Sequence, residues 1–95
     1  MASLHFSMQA ISIHVIGKVQ GVFFRQSAKE LALNLKIFGF IRNENDGSVY
    51  IEVEGSEKNL KKFIEWCSKG PEKASVSKIE VKSIPEKKFS AFEIC

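Results

Sequence analysis

The chain has 95 residues, 44% hydrophobic and 26% charged, which suits one domain (1–95) with a single core; at this length roughly 60 to 65% of the unfolded surface is buried on folding. Fourteen Lys and Arg against eleven Asp and Glu leave a net charge of +3, too mild an excess to choose between a small anion, a nucleic acid and no anionic partner. The opening MASLHFSMQA has neither the basic start nor the apolar run of a secretory signal or a membrane span, and Cys67 and Cys95 lack metal-type or disulfide-framework spacing, so a reducing cytoplasm is expected, with residues 1–8 as a loose N-terminus.

From Ala10 to Ile16 the chain alternates, with Ile11, Ile13 and Val15 on one face and Ser12 and His14 on the other, the period of a first strand, β1 (10–16). Phe24, Ala28, Leu31, Ala32 and Leu35 then recur at helical spacing and define α1, which ends near Leu35. FGFIRN (38–43) and SVYIEVE (48–54) read as β2 and β3 around ENDG, whose Asp46-Gly47 pair is a strong hairpin signal. Ser56 can cap a second helix, α2, Glu57 suits its positive end, and Leu60, Phe63, Ile64 and Cys67 form its buried stripe until Gly70-Pro71 stops it. VSKIEVKSI (76–84) alternates as β4, and KFSAFEI (88–94) adds a short edge strand, β5.

The order β-α-β-β-α-β with an extra strand predicts an α+β, ferredoxin-like sandwich, an antiparallel sheet with two helices on one face. This architecture hosts RNA binders, regulatory modules and enzymes alike, so the site has to decide function. Within it β1 and β2 run parallel, joined by a right-handed crossover through α1, and their C-terminal ends share one edge of the sheet. Residues 17–25 and 42–47 therefore meet in space.

At that edge, GKVQGVFFR leaves several backbone N–H groups unpaired at the start of α1, where the helix dipole also favours an anion. Gly21 lets the chain curl, and successive N–H groups in such a curl form a concave nest. Arg25 opposes the dipole from the first turn, so its position needs another reason: its guanidinium fork can grip two phosphoryl oxygens. The spacing fits neither of the glycine-rich nucleotide motifs. From the residues alone, a simple turn with a solvated arginine stays open beside the anion cradle.

GKVQGVFFR followed by GFIRNENDG resembles the signature pair of the acylphosphatase family, G-x-V-Q-G-V-x-F-R and G-[FW]-V-x-N with a D-G turn soon after. The likeness continues through EGS before α2, WCSKGP after it and the closing F-x-I. It implies hydrolysis of a carboxyl-phosphate anhydride to a carboxylate and inorganic phosphate by in-line attack of water. Carried over, Arg25 is the phosphate-binding arginine, the amides of Val19, Gln20, Gly21, Val22, Phe23 and Phe24 are the phosphate cradle, and Asn43 positions the water. Gly17 falls where a small residue allows close approach to that asparagine. The implied substrate is a small acyl phosphate, handled by a monomer without a cofactor; the sequence shows no cluster of metal ligands, so no metal is expected.

So sparse a site suits the reaction, because positioning and electrostatics can carry phosphoryl transfer. The leaving carboxylate has a conjugate acid of pKa roughly 4, so it needs no general acid. A phosphate oxygen can take the water's proton, with Glu44 and Asp46 as lesser candidates for that task.

Other residues have plainer roles. Asp46 and Gly47 form the turn, Lys18 is solvated, Gln20 is structural through its side chain, and Phe23 and Phe24 anchor the loop in the core. His14 and His5 are not expected in catalysis; Cys67 reads as core and Cys95 as exposed. The chain departs from the family pattern at Lys36, where glycine is common after α1 and a left-handed cap is expected, and at Glu44, which sets a carboxylate beside Asn43.

The rival reading is a non-catalytic ferredoxin-like module that binds RNA or an anion. RNA binding asks for exposed aromatics on the central strands and a basic sheet face, but Tyr50 stands beside Glu52 and Glu54 and the [KR]-G-[FY]-[GA]-[FY] run is missing, so no nucleic-acid partner is expected.

Overall fold

Residues 8–95 are described by a computed structural model, in which β1 (Met8–Lys18) already begins at the last residue of the stretch expected to be loose; residues 1–7, His5 among them, lie outside the described residues. The alternation of β1 sends Ile11, Ile13 and Val15 into the core. The other elements are α1 (Phe24–Asn34), β2 (Phe38–Asn43), β3 (Val49–Ser56), α2 (Glu57–Cys67), β4 (Ser75–Ser83) and β5 (Phe92–Ile94). Phe24, Ala28 and Ala32 of α1 and Leu60, Phe63 and Cys67 of α2 are buried against one face of the sheet, as the helical stripes predict.

The strand order is β4-β1-β3-β2-β5. β3 lies antiparallel to both β1 and β2, so those two run parallel with their C-terminal ends at one edge. One expectation needs correcting: the sheet is mixed, because β5 pairs in parallel with β2, Gly39 opposite Phe92 and Ile41 opposite Ile94. A chain leaving β4 at the far edge must cross the sheet to reach β2, and arrives in the direction β2 already takes.

That crossing explains two buried acids. Glu52 and Glu54 point to the face opposite the helices, and both are nearly inaccessible there because the segment 84–91 straps across them. The Glu54 carboxylate accepts the backbone N–H groups of Lys87, Lys88 (2.9 Å) and Phe89 (2.8 Å). Burial pushes this carboxyl up, but the three N–H donors outweigh it and hold it below the usual carboxylate range. Lys87 Nζ lies 2.7 Å from Glu52 Oε1.

Both helix caps follow their sequence signals. Ser56 Oγ accepts from Asn59 N–H at the start of α2. After α1, Lys36 takes φ 54°, while Ile37 N–H donates to Ala32 O and Lys36 N–H to Leu33 O, a left-handed C-terminal cap built without glycine.

Candidate active site

The strand-to-helix loop after β1 owes its curl to two left-handed residues, Gly21 (φ 74°) and Phe23 (φ 64°), with Val22 buried between them. A Cβ on Gly21 would meet nothing within 4 Å, so glycine is needed there for backbone conformation rather than for space. Among the described residues, the N–H groups of Val19 to Phe24 donate to no turn or loop carbonyl. They stand at the positive end of α1, which starts at Phe24 without a side-chain cap.

Facing this loop is the turn that joins β2 to β3. Glu44 N–H donates to Ser48 O, Gly47 N–H donates to Glu44 O, and Asp46 Oδ1 accepts both the backbone N–H and the hydroxyl of Ser48. The Ser48 hydroxyl, then its N–H, hold the Asp46 carboxyl below the usual range. Loop and turn are bolted together by one side chain, since Gln20 Nε2 donates to Glu44 O (2.8 Å) and Ser48 O (2.9 Å). The structural role expected for Gln20 is thus a clamp between the two halves of the edge.

A cleft of about 410 Å³ opens where they meet, lined by Val19, Gly21, Phe23, Phe24, Arg25, Gln26, Asn43 and Ile94. Arg25 and Asn43, about twenty residues apart in sequence, share this cleft as the parallel ends of β1 and β2 require. Arg25 Nη1 makes a long 3.4 Å hydrogen bond to Cys95 O, from the chain just beyond β5. Asn43 Oδ1 is a buried acceptor with no hydrogen-bond partner among the described residues, a costly condition unless something else donates to it.

Glu44 and Asp46 do not line the cleft. Glu44 pairs with Arg42 Nε at 2.8 Å, and the Arg42 guanidinium lies over the rings of Tyr50 (4.9 Å) and Phe40 (5.6 Å). The carboxylate beside Asn43 is therefore balanced on the open face of the sheet. His14 stands on that face too, with Nε2 2.7 Å from Ser48 Oγ.

Two expectations are corrected. Phe24 anchors the loop in the core, but Phe23 is 76% exposed, because its left-handed backbone turns the ring outward. The close approach that requires Gly17 is to β4: at φ 140°, a Cβ there would fall 2.3 Å from Ser75 O and 2.8 Å from Ser77 N, where the β1–β4 register shifts. Ile94 is a cleft residue that sequence reading passed over; its place two residues after Phe92 in an alternating strand was the signal available.

Fold and cleft together define a small ferredoxin-like α+β domain in which an uncapped helix start, an arginine and a carboxamide share one cleft. The family model Acylphosphatase matches residues 11–94. An acylphosphatase of Oceanobacillus iheyensis is 43% identical over 89 residues, covering 92% of this chain and 98% of that protein. Solved acylphosphatases from Coxiella burnetii (33% identity, 93% of each chain) and Bacillus subtilis (32%, 94% of this chain and 99% of that one) both superpose with a TM-score of 0.89. The chain belongs to the acylphosphatase family, and with it to the hydrolases that split the carboxyl-phosphate bond of small acyl phosphates.

Proposed function

We propose that the cleft carries out this hydrolysis with Arg25 and Asn43 as its catalytic side chains and the amides of Val19 to Phe24 as its phosphate cradle. The phosphoryl oxygens accept from these N–H groups and from the Arg25 fork, which exchanges its long contact with Cys95 O for two short charge-assisted bonds. Charge spread over the equatorial oxygens of a loose transition state is stabilised by donors that need no rearrangement. Asn43 Oδ1 accepts a hydrogen from the attacking water and holds it in line with the departing carboxylate. The partnerless, buried state of that oxygen is the observation that carries this reading.

A carboxamide cannot take the water's proton. Glu44 is engaged by Arg42 and Asp46 by Ser48, which favours a phosphoryl oxygen as the acceptor. The leaving carboxylate departs unprotonated, its conjugate acid having a pKa of roughly 4. The reaction so written uses no metal and no cofactor.

The same reading takes residues 1–95 as one domain working as a monomer, in a reducing cytoplasm that suits two free cysteines. No helix among the described residues is long and apolar enough to cross a membrane. Nucleic acid is not a partner in this reading: the aromatic face that bases would need is occupied by Arg42 over Phe40 and Tyr50.

The test is phosphate release from acetyl phosphate with a chelator present. Arg25→Ala and Asn43→Ala are each expected to slow turnover by about 10² to 10³ or more, as lost oxyanion donors and arginine fingers do. Wild-type rates in both variants would overturn the assignment.

A further inference from the structure

A chain of polar contacts on the open face of the sheet lies outside the cleft. It runs from Glu80 on β4 through His14 on β1 and Ser48 to Asp46 in the β2–β3 turn. Glu80 Oε1 is 3.6 Å from His14 Nδ1, His14 Nε2 is 2.7 Å from Ser48 Oγ, and the Ser48 hydroxyl donates to Asp46 Oδ1 at 2.6 Å. These residue types invite comparison with a nucleophile triad, but the contacts run in the wrong order for one. The serine hydrogen goes to the aspartate, and Ser48 is 4% exposed, out of reach of a substrate. Ser48 is instead the node of the turn. Its carbonyl accepts from Glu44 N–H and from the Gln20 clamp, its N–H donates to Asp46, and its neighbour Val49 is the register partner of Asn43.

The chain has three gaps and needs a hydrogen in each. Both ends are ionised carboxylates, kept so chiefly by the Ser48 hydroxyl at Asp46 and by Lys78 at Glu80, and they can only accept. A protonated imidazole supplies two hydrogens and Ser48 the third, so every gap is bridged. A neutral imidazole supplies one, and one carboxylate loses its link. The ring's other neighbour is Tyr50 on β3, edge to face at 6.4 Å, whose hydroxyl donates to Glu52. The cations on this side have other partners: Lys78 pairs with Glu80 (3.2 Å) and Arg42 with Glu44, while Lys82 stands opposite Ser12, two residues along β1.

From this count we infer that His14 is a positioning residue for Asn43, acting through Ser48, and that its protonated form holds the β2–β3 turn in the arrangement that turns over substrate fastest. The inference rests on the hydrolytic reading of the cleft and adds a pH response to it. Imidazolium ties the turn to β1 and β4 at once. When it loses its proton, either Glu80 or Asp46 is released, and the turn next to Asn43 is held less firmly. Alignment of the attacking water responds to small displacements. kcat therefore changes, while binding through Arg25 and the loop amides does not. The effect is full at low pH and is lost as pH rises between about 5 and 8, where an imidazole ordinarily changes charge.

kcat and KM for acetyl phosphate are measured from about pH 5 to 9 on the wild type, His14→Gln and Glu80→Gln. Glutamine at position 14 can still donate to Ser48 but carries no charge. The ratio of wild-type to His14→Gln kcat cancels the titration of the substrate and of every group the two proteins share. It is expected to be about three- to fivefold near the acid end and about 1 near the alkaline end, with KM alike in both. Glu80→Gln removes one anion from the chain and should shrink the wild-type step. A ratio that stays constant with pH, or an unchanged step in Glu80→Gln, overturns the positioning role alone. Should His14→Gln fail to fold, Glu80→Gln decides, since Glu80 lies on the edge strand β4. Failure of the wild type to hydrolyse acetyl phosphate at any pH overturns the hydrolytic reading and this inference with it.

Discussion

A carboxamide can hold a water in line only if its oxygen is free and its backbone cannot drift. Asn43 meets the first condition through its partnerless Oδ1, and Gln20 supplies the second by donating to the carbonyls of Glu44 and Ser48 on either side of the turn. Each carbonyl keeps another donor when Gln20 is truncated, Gly47 N–H for Glu44 O and Glu44 N–H for Ser48 O. Gln20→Ala should therefore cost only about 1 kcal/mol of stability in urea titration. Turnover should fall further, by roughly ten- to a hundredfold in kcat, because under the proposed assignment a displaced Asn43 loses alignment with the phosphoryl group. Steady-state kinetics beside the urea curve separates the two, and a kcat loss no larger than the stability loss accounts for would remove Gln20 from the positioning machinery.

Among elements, two junctions carry more than their length indicates. The left-handed cap at Lys36 closes α1 with a residue that has a Cβ, where glycine would sit unstrained. Lys36→Gly should stabilise the chain by up to about 1 kcal/mol, since removing the left-handed penalty outweighs glycine's extra freedom in the unfolded chain; a shift of the urea midpoint to higher concentration checks it. The strap 84–91 depends on Glu54, whose carboxylate gathers three N–H donors and so fixes the path into β5. Glu54→Gln offers one acceptor and an unwanted NH2 in place of two charged oxygens, and should cost about 1.5 to 3 kcal/mol. Hydrogen exchange should show the amides of Lys87 to Phe89 losing protection before the rest of the sheet does. Because β5 brings Ile94 and Cys95 to the cleft, the strap is a structural determinant of the site at long range.

At the scale of the molecule, the βαββαβ order and the edge that Arg25 and Asn43 share are legible in the sequence from periodicity, whereas the choice of those two residues comes from the family's motif pair, since alone they read as a solvated arginine and a turn residue. Three features are not. Adjacent phenylalanines carry the same hydrophobic signal, and only the backbone handedness at Phe23 decides which one faces water. A three-residue strand such as β5 does not announce its direction, and the burial of Glu52 and Glu54 depends on a segment more than thirty residues away. Local and long-range partners of four acids together set the acid limit of the fold. Asp46, Glu52, Glu54 and Glu80 all have folded pKa values below their unfolded ones, so their stabilisation is complete above roughly pH 4.5 and is lost as pH falls through the folded values. Cys67 works in the opposite sense. Burial against the sheet pushes its thiol far above the ordinary range, so the folded chain keeps a proton that the unfolded chain sheds from about pH 8.5 upward. Stability should be level from about pH 5 to 8 and decline above it, with a slope approaching 1.4 kcal/mol per pH unit between about pH 9 and 10. Cys67→Ala lowers the plateau by leaving a cavity but removes the titrating group. Urea midpoints against pH should show the alkaline decline in the wild type and its loss in the variant, and an equal slope in both would assign the decline to another group.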